Sequence, residues 1–373
     1  MGHTTHKFYF GFQFINVFMK KKVFFILSSF AAGGAERVFW IICQAFDKTK
    51  FDVTVVLLDT RNNAFSLNLP DIRIIDLKTI KASNSFITLL RFIRIEKPYA
   101  IYTTGSHINM LVSFVSYFSK IPYLIARGTN IPHERKKYSG LKSKVFSMLG
   151  IFAYRNFNYF VCQSKEMYNS WSSNFLMDIN KLVVIPNPVI KPEVIRRTEV
   201  LKDKKEIIVV GRISSVKGHD RLLNIFSRLP ENYCLTIAGG DGGEMGFIKN
   251  RIIELNLNSR IKVIGEINDV CNIISQHSLL VLSSYTEGFP NVILEALSVG
   301  TPVVTFKVGG VSDFIIDGFN GYIVEQGNSN EFGNCIVKAS NMYWNHKDIA
   351  NDIQRRFSVP HIVKQYENLI TTK

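Results

Sequence analysis

From Met19 onward, short apolar runs alternate with stretches of helical spacing. Val23 to Ser28, Phe51 to Leu58, Ile72 to Leu77, Tyr99 to Thr103, Tyr123 to Ala126 and Tyr159 to Gln163 read as strands, with helices between most of them. Runs this short and continuously apolar suit parallel strands buried on both faces. The rhythm restarts at Glu206 to Gly211 and continues through Tyr233 to Ala238, Ile261 to Ile264, Leu279 to Ser283, Pro302 to Phe306 and Tyr322 to Glu325. Such alternation predicts an α/β fold of parallel sheets with helices on both faces. Between the halves, Lys181 to Val189 ends a strand in Pro-Asn-Pro, and Lys191 to Lys205 reads as an exposed linker. Two domains are expected, since 373 residues suffice for two cores. Ser358 to Ile370 is a closing amphipathic helix.

Chemistry gathers where strands end. After the strand at 279–283, the turn Ser284 to Pro290 carries Glu287 and Phe289. A helix follows from Asn291, with Pro290 at its start and Glu295 one or two turns in. Ligands of open α/β sheets bind at this end, beside helix N-termini that favour anions. Alone, Glu295 also reads as a solvated helix residue and Glu287 as a turn residue. After the first strand, Gly33 and Gly34 let a backbone approach a ligand closely and leave N–H groups for phosphate. His107 follows another strand, as a sugar or phosphate contact, a proton acceptor, or a surface histidine. Arg127 is an acceptor-phosphate contact or a structural ion pair. In Gly211 to Gly218, Arg212 and Lys217 flank a strand-to-helix turn, where a fork and a point charge can grip a diphosphate; surface decoration is the bland alternative. The glycine-rich Gly239 to Gly243 reads as a plain loop, and Gly265-Glu266 as a wall for a nucleobase.

Charge changes the picture once it is divided. Residues 1–190 hold 24 Lys/Arg against 10 Asp/Glu, whereas the remainder holds 21 against 20. A one-sided basic surface points to nucleic acid, an anionic membrane or a phosphorylated substrate. No aromatic-basic motif or recognition helix supports nucleic acid. The stretch 132–152 interleaves Arg135, Lys136, Lys137, Lys142 and Lys144 with apolar residues, which suits a membrane surface or an ordinary surface helix. Five scattered cysteines fit a reducing cytosol and form no metal or disulfide framework. No run of eighteen apolar residues is present. Met19 reads as the natural start, and 1–18 as an upstream extension, or less readily an interfacial anchor.

Ser284-x-x-Glu287-Gly-Phe-Pro-Asn291-x-x-x-Glu295-Ala, followed by Gly300-Thr-Pro-Val-Val, resembles the signature of the family-four retaining glycosyltransferases of GT-B architecture. Gly33-Gly-Ala-Glu-Arg37 and Gly211-Arg-x-x-x-x-Lys-Gly218 extend the likeness from Met19 to the end. The resemblance implies two Rossmann-like domains facing across a cleft. The acceptor-side domain would span 19–189, joined by about 357–373 crossing back, and the nucleotide-sugar domain would span 190–356. It implies that Arg212 and Lys217 bind the donor diphosphate, Glu287 the transferred sugar and its oxocarbenium-like state, and Glu295 the ribose. N–H groups near Asn291 would serve sugar and phosphate, and the Gly33-Gly34 loop would face them. The reaction implied moves a hexosyl unit from a UDP-sugar to an acceptor hydroxyl with retention. No cofactor and no metal are expected, since the chain has no Asp-x-Asp. The basic half leads to a lipid-linked saccharide acceptor in bacterial surface polysaccharide synthesis, with the chain cytoplasmic and peripheral on the inner face of the plasma membrane. An epimerase of the same fold and a catalytically silent partner subunit are the rival readings.

Overall fold

The computed structural model describes residues 19–31, 33–61, 63–79, 82–129, 154–173, 178–196 and 204–371. The segment 1–18 and the basic stretch 132–152 lie outside the described residues.

The first sheet contains β1 (Lys21–Leu27), β2 (Phe51–Leu57), β3 (Arg73–Asp76), β4 (Ala100–Thr104), β5 (Tyr123–Arg127), β6 (Tyr159–Cys162) and β7 (Leu182–Val184). They run parallel in the order β3-β2-β1-β4-β5-β6-β7. Helices α1 (Gly34–Ala45), α2 (Phe86–Glu96), α3 (Ser106–Ser116) and α4 (Lys165–Ser173) belong to this half. The second sheet contains β8 (Lys205–Val210), β9 (Tyr233–Ala238), β10 (Ile261–Gly265), β11 (Leu279–Leu282), β12 (Val303–Phe306) and β13 (Gly321–Val324). Its order is β10-β9-β8-β11-β12-β13, again all parallel. Its helices are α5 (His219–Phe226), α6 (Met245–Glu254), α7 (Val270–Ser275), α8 (Asn291–Ser298), α9 (Ser329–Asn341) and α10 (His346–Phe357). The architecture is the expected pair of Rossmann-like domains.

The apolar runs become strands because both sheet faces are covered. In the first domain, one core joins β1, β2 and β4 to α1, and a second lies beneath α2, α3 and α4. A last helix, α11 (Val359–Thr371), crosses back to the first domain, as the amphipathic pattern and the resemblance led one to expect. Its Ile362, Val363, Tyr366 and Ile370 enter the core on the α1 face. The Tyr102 hydroxyl donates to the Tyr366 carbonyl at 2.6 Å, and the Asp47 N–H to Glu367 Oε1 at 2.8 Å.

Each sheet has one place where its strand order reverses. In the first, β1 pairs with β2 on one side and β4 on the other. In the second, β8 lies between β9 and β11. Helices leave opposite faces at such a reversal and open a crevice beyond the carboxyl ends of the strands. The loops entering α1 and α3 border the first crevice, and those entering α5 and α8 border the second.

Candidate active site

The second crevice brings two of the candidate residues into direct contact. Lys217 Nζ lies 2.7 Å from Glu287 Oε1, and the Ser284 hydroxyl donates to the same oxygen at 2.6 Å. The ammonium comes from the loop after β8 and the carboxylate from the loop after β11, so the ion pair spans the reversal itself. Further bonds join the two loops. The Tyr285 N–H donates to the Val216 carbonyl at 2.9 Å, and the Ser283 hydroxyl to the Lys217 carbonyl at 3.1 Å. Gly309, after β12, presses on Glu287 from the other side. Its φ is +52°, and a Cβ there would lie 2.8 Å from the Glu287 Cβ.

Arg212, in the same loop as Lys217, is exposed and makes no contact with Glu287 among the described hydrogen bonds. The glycine-rich turn read as a plain loop has a specific task here. The Ile213 N–H donates to the Gly240 carbonyl and the Gly242 N–H to the Ile213 carbonyl, both at 2.9 Å, which seats the turn against Arg212. A Cβ at Gly239 would lie 2.0 Å from the Gly211 carbonyl oxygen, so only glycine lets the backbones approach this closely.

Glu295 is not a solvated helix residue. Helix α8 is sunk between α7 and α10, and Glu295 is 7% exposed. Its carboxylate pairs with Arg37 of α1, across the domain boundary. The pair lines a small crevice of about 30 Å³, open to solvent, together with Ile41, Pro188, Cys271 and Asn291. Burial pushes the Cys271 thiol up to about 11, and the Glu295 carboxylate adds to the shift.

Asn291, at the start of α8, faces the first domain. Its Nδ2 donates to the Gly34 carbonyl at 3.4 Å, and its Oδ1 accepts from Asn187 Nδ2 at 2.6 Å. Asn187 Oδ1 in turn accepts from Arg127. Here the structure differs from expectation. Arg127 is 1% exposed, with Nη1 on the Thr104 hydroxyl at 3.4 Å, so its guanidinium belongs to this internal relay and presents no face to an acceptor phosphate. Burial depresses its pKa, and Tyr366 opposes that shift. Phe289, the substrate-binding candidate of the same turn as Glu287, is buried with its ring tilted against Phe314, 5.2 Å between centroids, so its ring belongs to the core.

At the first crevice, Gly33 is the N-cap of α1 and Gly34 its first residue. A Cβ on Gly33 would strike the Glu36 carboxylate. His107 is exposed on the first turn of α3. Partial desolvation lowers its pKa, while the Glu36 carboxylate pulls the other way. No described hydrogen bond ties His107 to the second domain.

Several contributors carry no obvious signal in the sequence. The Gly310 N–H donates to Glu166 Oε2 and the Lys165 N–H to Asp313 Oδ2, each at 2.7 Å. The start of α4 and the turn at 310–313 therefore cap one another across the boundary. Arg37 stands inside the Gly-Gly-Ala-Glu-Arg motif, and Asn187 between two prolines, which are the only hints available. Among the described residues, no three His, Cys, Asp or Glu side chains come together as metal ligands would.

Residues 191–356 match the family Glycosyl transferases group 1, and residues 32–190 match Glycosyltransferase Family 4. The chain belongs to the family-four, group 1 glycosyltransferases. An uncharacterized glycosyltransferase of Haemophilus influenzae is 25% identical over 366 residues, 94% of this chain and 100% of that one. The UDP-Gal:alpha-D-GlcNAc-diphosphoundecaprenol alpha-1,3-galactosyltransferase of Escherichia coli is 25% identical over 312 residues, 79% of this chain and 80% of that one. The crystal structure of Anabaena HepE with UDP and glucose superposes with a TM-score of 0.77 at 19% identity, covering 95% of this chain and 100% of that one. This solved neighbour shares the GT-B architecture with this glycosyltransferase.

Proposed function

We propose that this glycosyltransferase moves a hexosyl unit from a UDP-sugar to a hydroxyl of a lipid-linked saccharide, with retained anomeric configuration and without a divalent metal. The observation that carries the reading is the Lys217–Glu287 pair across the β8/β11 reversal, with Arg212 exposed in the same loop as Lys217. A departing nucleoside diphosphate gathers negative charge, and two fixed cations at that point stabilise it. Arg212 and Lys217 do so here. As Lys217 turns to the diphosphate, Glu287 keeps its Ser284 hydrogen bond and is free to meet the sugar as positive charge develops at the anomeric carbon. Its position fits front-face departure, with the leaving-group oxygen taking the proton of the incoming hydroxyl. Glu295, shared with Arg37, holds the ribose hydroxyls.

The names of two relatives agree with this choice of substrates. The Escherichia coli protein is named for UDP-Gal and a diphosphoundecaprenol acceptor, and the Anabaena structure contains UDP and glucose. The basic first half suits work at the inner face of an anionic plasma membrane, on bacterial surface polysaccharide. No helix among the described residues is long and apolar enough to cross a membrane.

A thermal-shift screen of UDP-, GDP- and ADP-sugars tests the donor, since a ligand that binds only the folded chain raises its melting temperature. Stabilisation by UDP-sugars is expected. Transfer to a polyprenyl-diphosphate saccharide should survive a chelator, and product NMR should show the donor's anomeric configuration. Glu287→Ala and Arg212→Ala should each slow transfer by at least about a hundredfold. Undiminished transfer in both variants would refute the catalytic assignment.

A further inference from the structure

We propose that Arg221, on the first turn of α5, is a positioning residue of this site: it fixes the loop that presents Ser284 and Glu287, and acts on the reaction through them. The inference rests on the role given to Glu287 above. Nothing in the spacing of the sequence separates Arg221 from a surface cation. The structure does.

Arg221 Nε donates to the Ser283 carbonyl at 2.6 Å, Nη2 donates to the Ser284 carbonyl, and Nη1 donates to Gln326 Oε1 at 2.8 Å. The guanidinium is also sandwiched, with its carbon 4.0 Å from the ring centroids of both Tyr285 and Phe306. Among the described residues no carboxylate pairs with it. A surface arginine is normally solvated or paired with an acid; this one is committed to two successive backbone carbonyls of the loop after β11. Ser283 and Ser284 are both buried, so those carbonyls have no water to turn to.

Ser284 is thereby held at both ends. Its carbonyl receives Arg221 and Gln326 Nε2, and its hydroxyl donates to Glu287. Arg221 lies four residues beyond Lys217, so one short segment supplies both the cation paired with Glu287 and the fork that orients the loop carrying it. A lysine could keep the charge but not the geometry: a point charge cannot bridge two carbonyls while stacked between two rings.

The test is Arg221→Lys, with UDP as the binding probe and UDP release from UDP-glucose and UDP-galactose as the turnover assay. The expected result is a kcat at least tenfold below the wild type with a UDP dissociation constant within threefold. Ser284→Ala should behave likewise, and the double variant should be no slower than the worse single one, because both act through Glu287. Tyr285→Leu removes only the exposed side of the sandwich, so it preserves a folded variant and should show a smaller kcat loss of the same kind. A wild-type kcat in Arg221→Lys and Tyr285→Leu, parallel losses of kcat and UDP binding, or additive effects of Arg221→Lys and Ser284→Ala would overturn the inference. A wild-type chain that neither binds UDP nor releases it from either sugar would instead overturn the donor reading on which it rests.

Discussion

Acid should destabilise the second domain in part by way of His219. This residue follows the Lys217 loop at the start of α5, is 2% exposed, and has no hydrogen-bond partner for either ring nitrogen among the described residues. Burial, with Lys217 adding to it, lowers its pKa to about 4. The unfolded chain binds the same proton near the ordinary histidine value of about 6.5. Above that pH neither state is protonated and His219 contributes no pH dependence. As pH falls below it, the unfolded chain takes up the proton first, so stability drops by about 1.4 kcal/mol per pH unit until the folded-state value is reached. At pH 5 the loss is about 2 kcal/mol, and over the full interval about 3 kcal/mol. His219→Leu removes both the titration and two unpartnered polar atoms. Its stability should match or exceed the wild type at pH 7.5. Its advantage should then grow by about 2 kcal/mol on going to pH 5. Urea unfolding followed by Trp344 fluorescence is the assay. Trp344 lies in the second-domain core, and Trp40→Phe with Trp171→Phe silences the other two indoles. His277 and His346 also titrate low because they are buried, so some acid sensitivity remains in the variant. Equal pH dependence in His219→Leu and the wild type would refute the argument.

Two further perturbations address the boundary between the domains and the loop behind Glu287. Arg37→Met leaves the Glu295 carboxylate without its cation and should destabilise the chain by about 1–2 kcal/mol. This is less than for a fully enclosed pair, because the Arg37 side chain is about a third exposed. Adding Glu295→Gln should recover most of the loss, as calorimetry would show. Gly309→Ala places a Cβ against Glu287 in backbone that disfavours side chains, so turnover should fall at least about tenfold. Retention of full turnover on UDP release would contradict the packing described.

The strands were legible because strands buried on both faces must be apolar throughout; Leu279 to Leu282 is wholly buried. The closing helix was legible from its single apolar stripe. Lys217 and Glu287 could be nominated from strand-end loops, since a parallel sheet sends all such loops to one side. Their contact could not be read in the same way. It depends on β8 and β11 being neighbours despite the 68 residues between them. The same limit hides the partners of Glu295 and Asp313, which lie in the other domain, and gave no sign that Arg127 and Phe289 would be covered. An arginine or phenylalanine in a polar loop looks exposed until the packing is known. Arg221 was obscured for a different reason, because its partners are backbone carbonyls, which any sequence supplies.

The route of α11 orders the assembly of the molecule. Tyr102 meets Tyr366 only after 263 intervening residues have been made, and those residues include the whole second sheet. On the ribosome, the α1 face of the first sheet therefore stays only partly covered while the later domain emerges and folds. The first half of the polypeptide is completed by α11, made after the whole second sheet. Chains stalled or clipped near Phe357 would keep a finished second domain and display the apolar stripe that Ile362, Val363, Tyr366 and Ile370 normally cover. A quality-control chaperone would find its target there, at the beginning of the chain and not at the broken end.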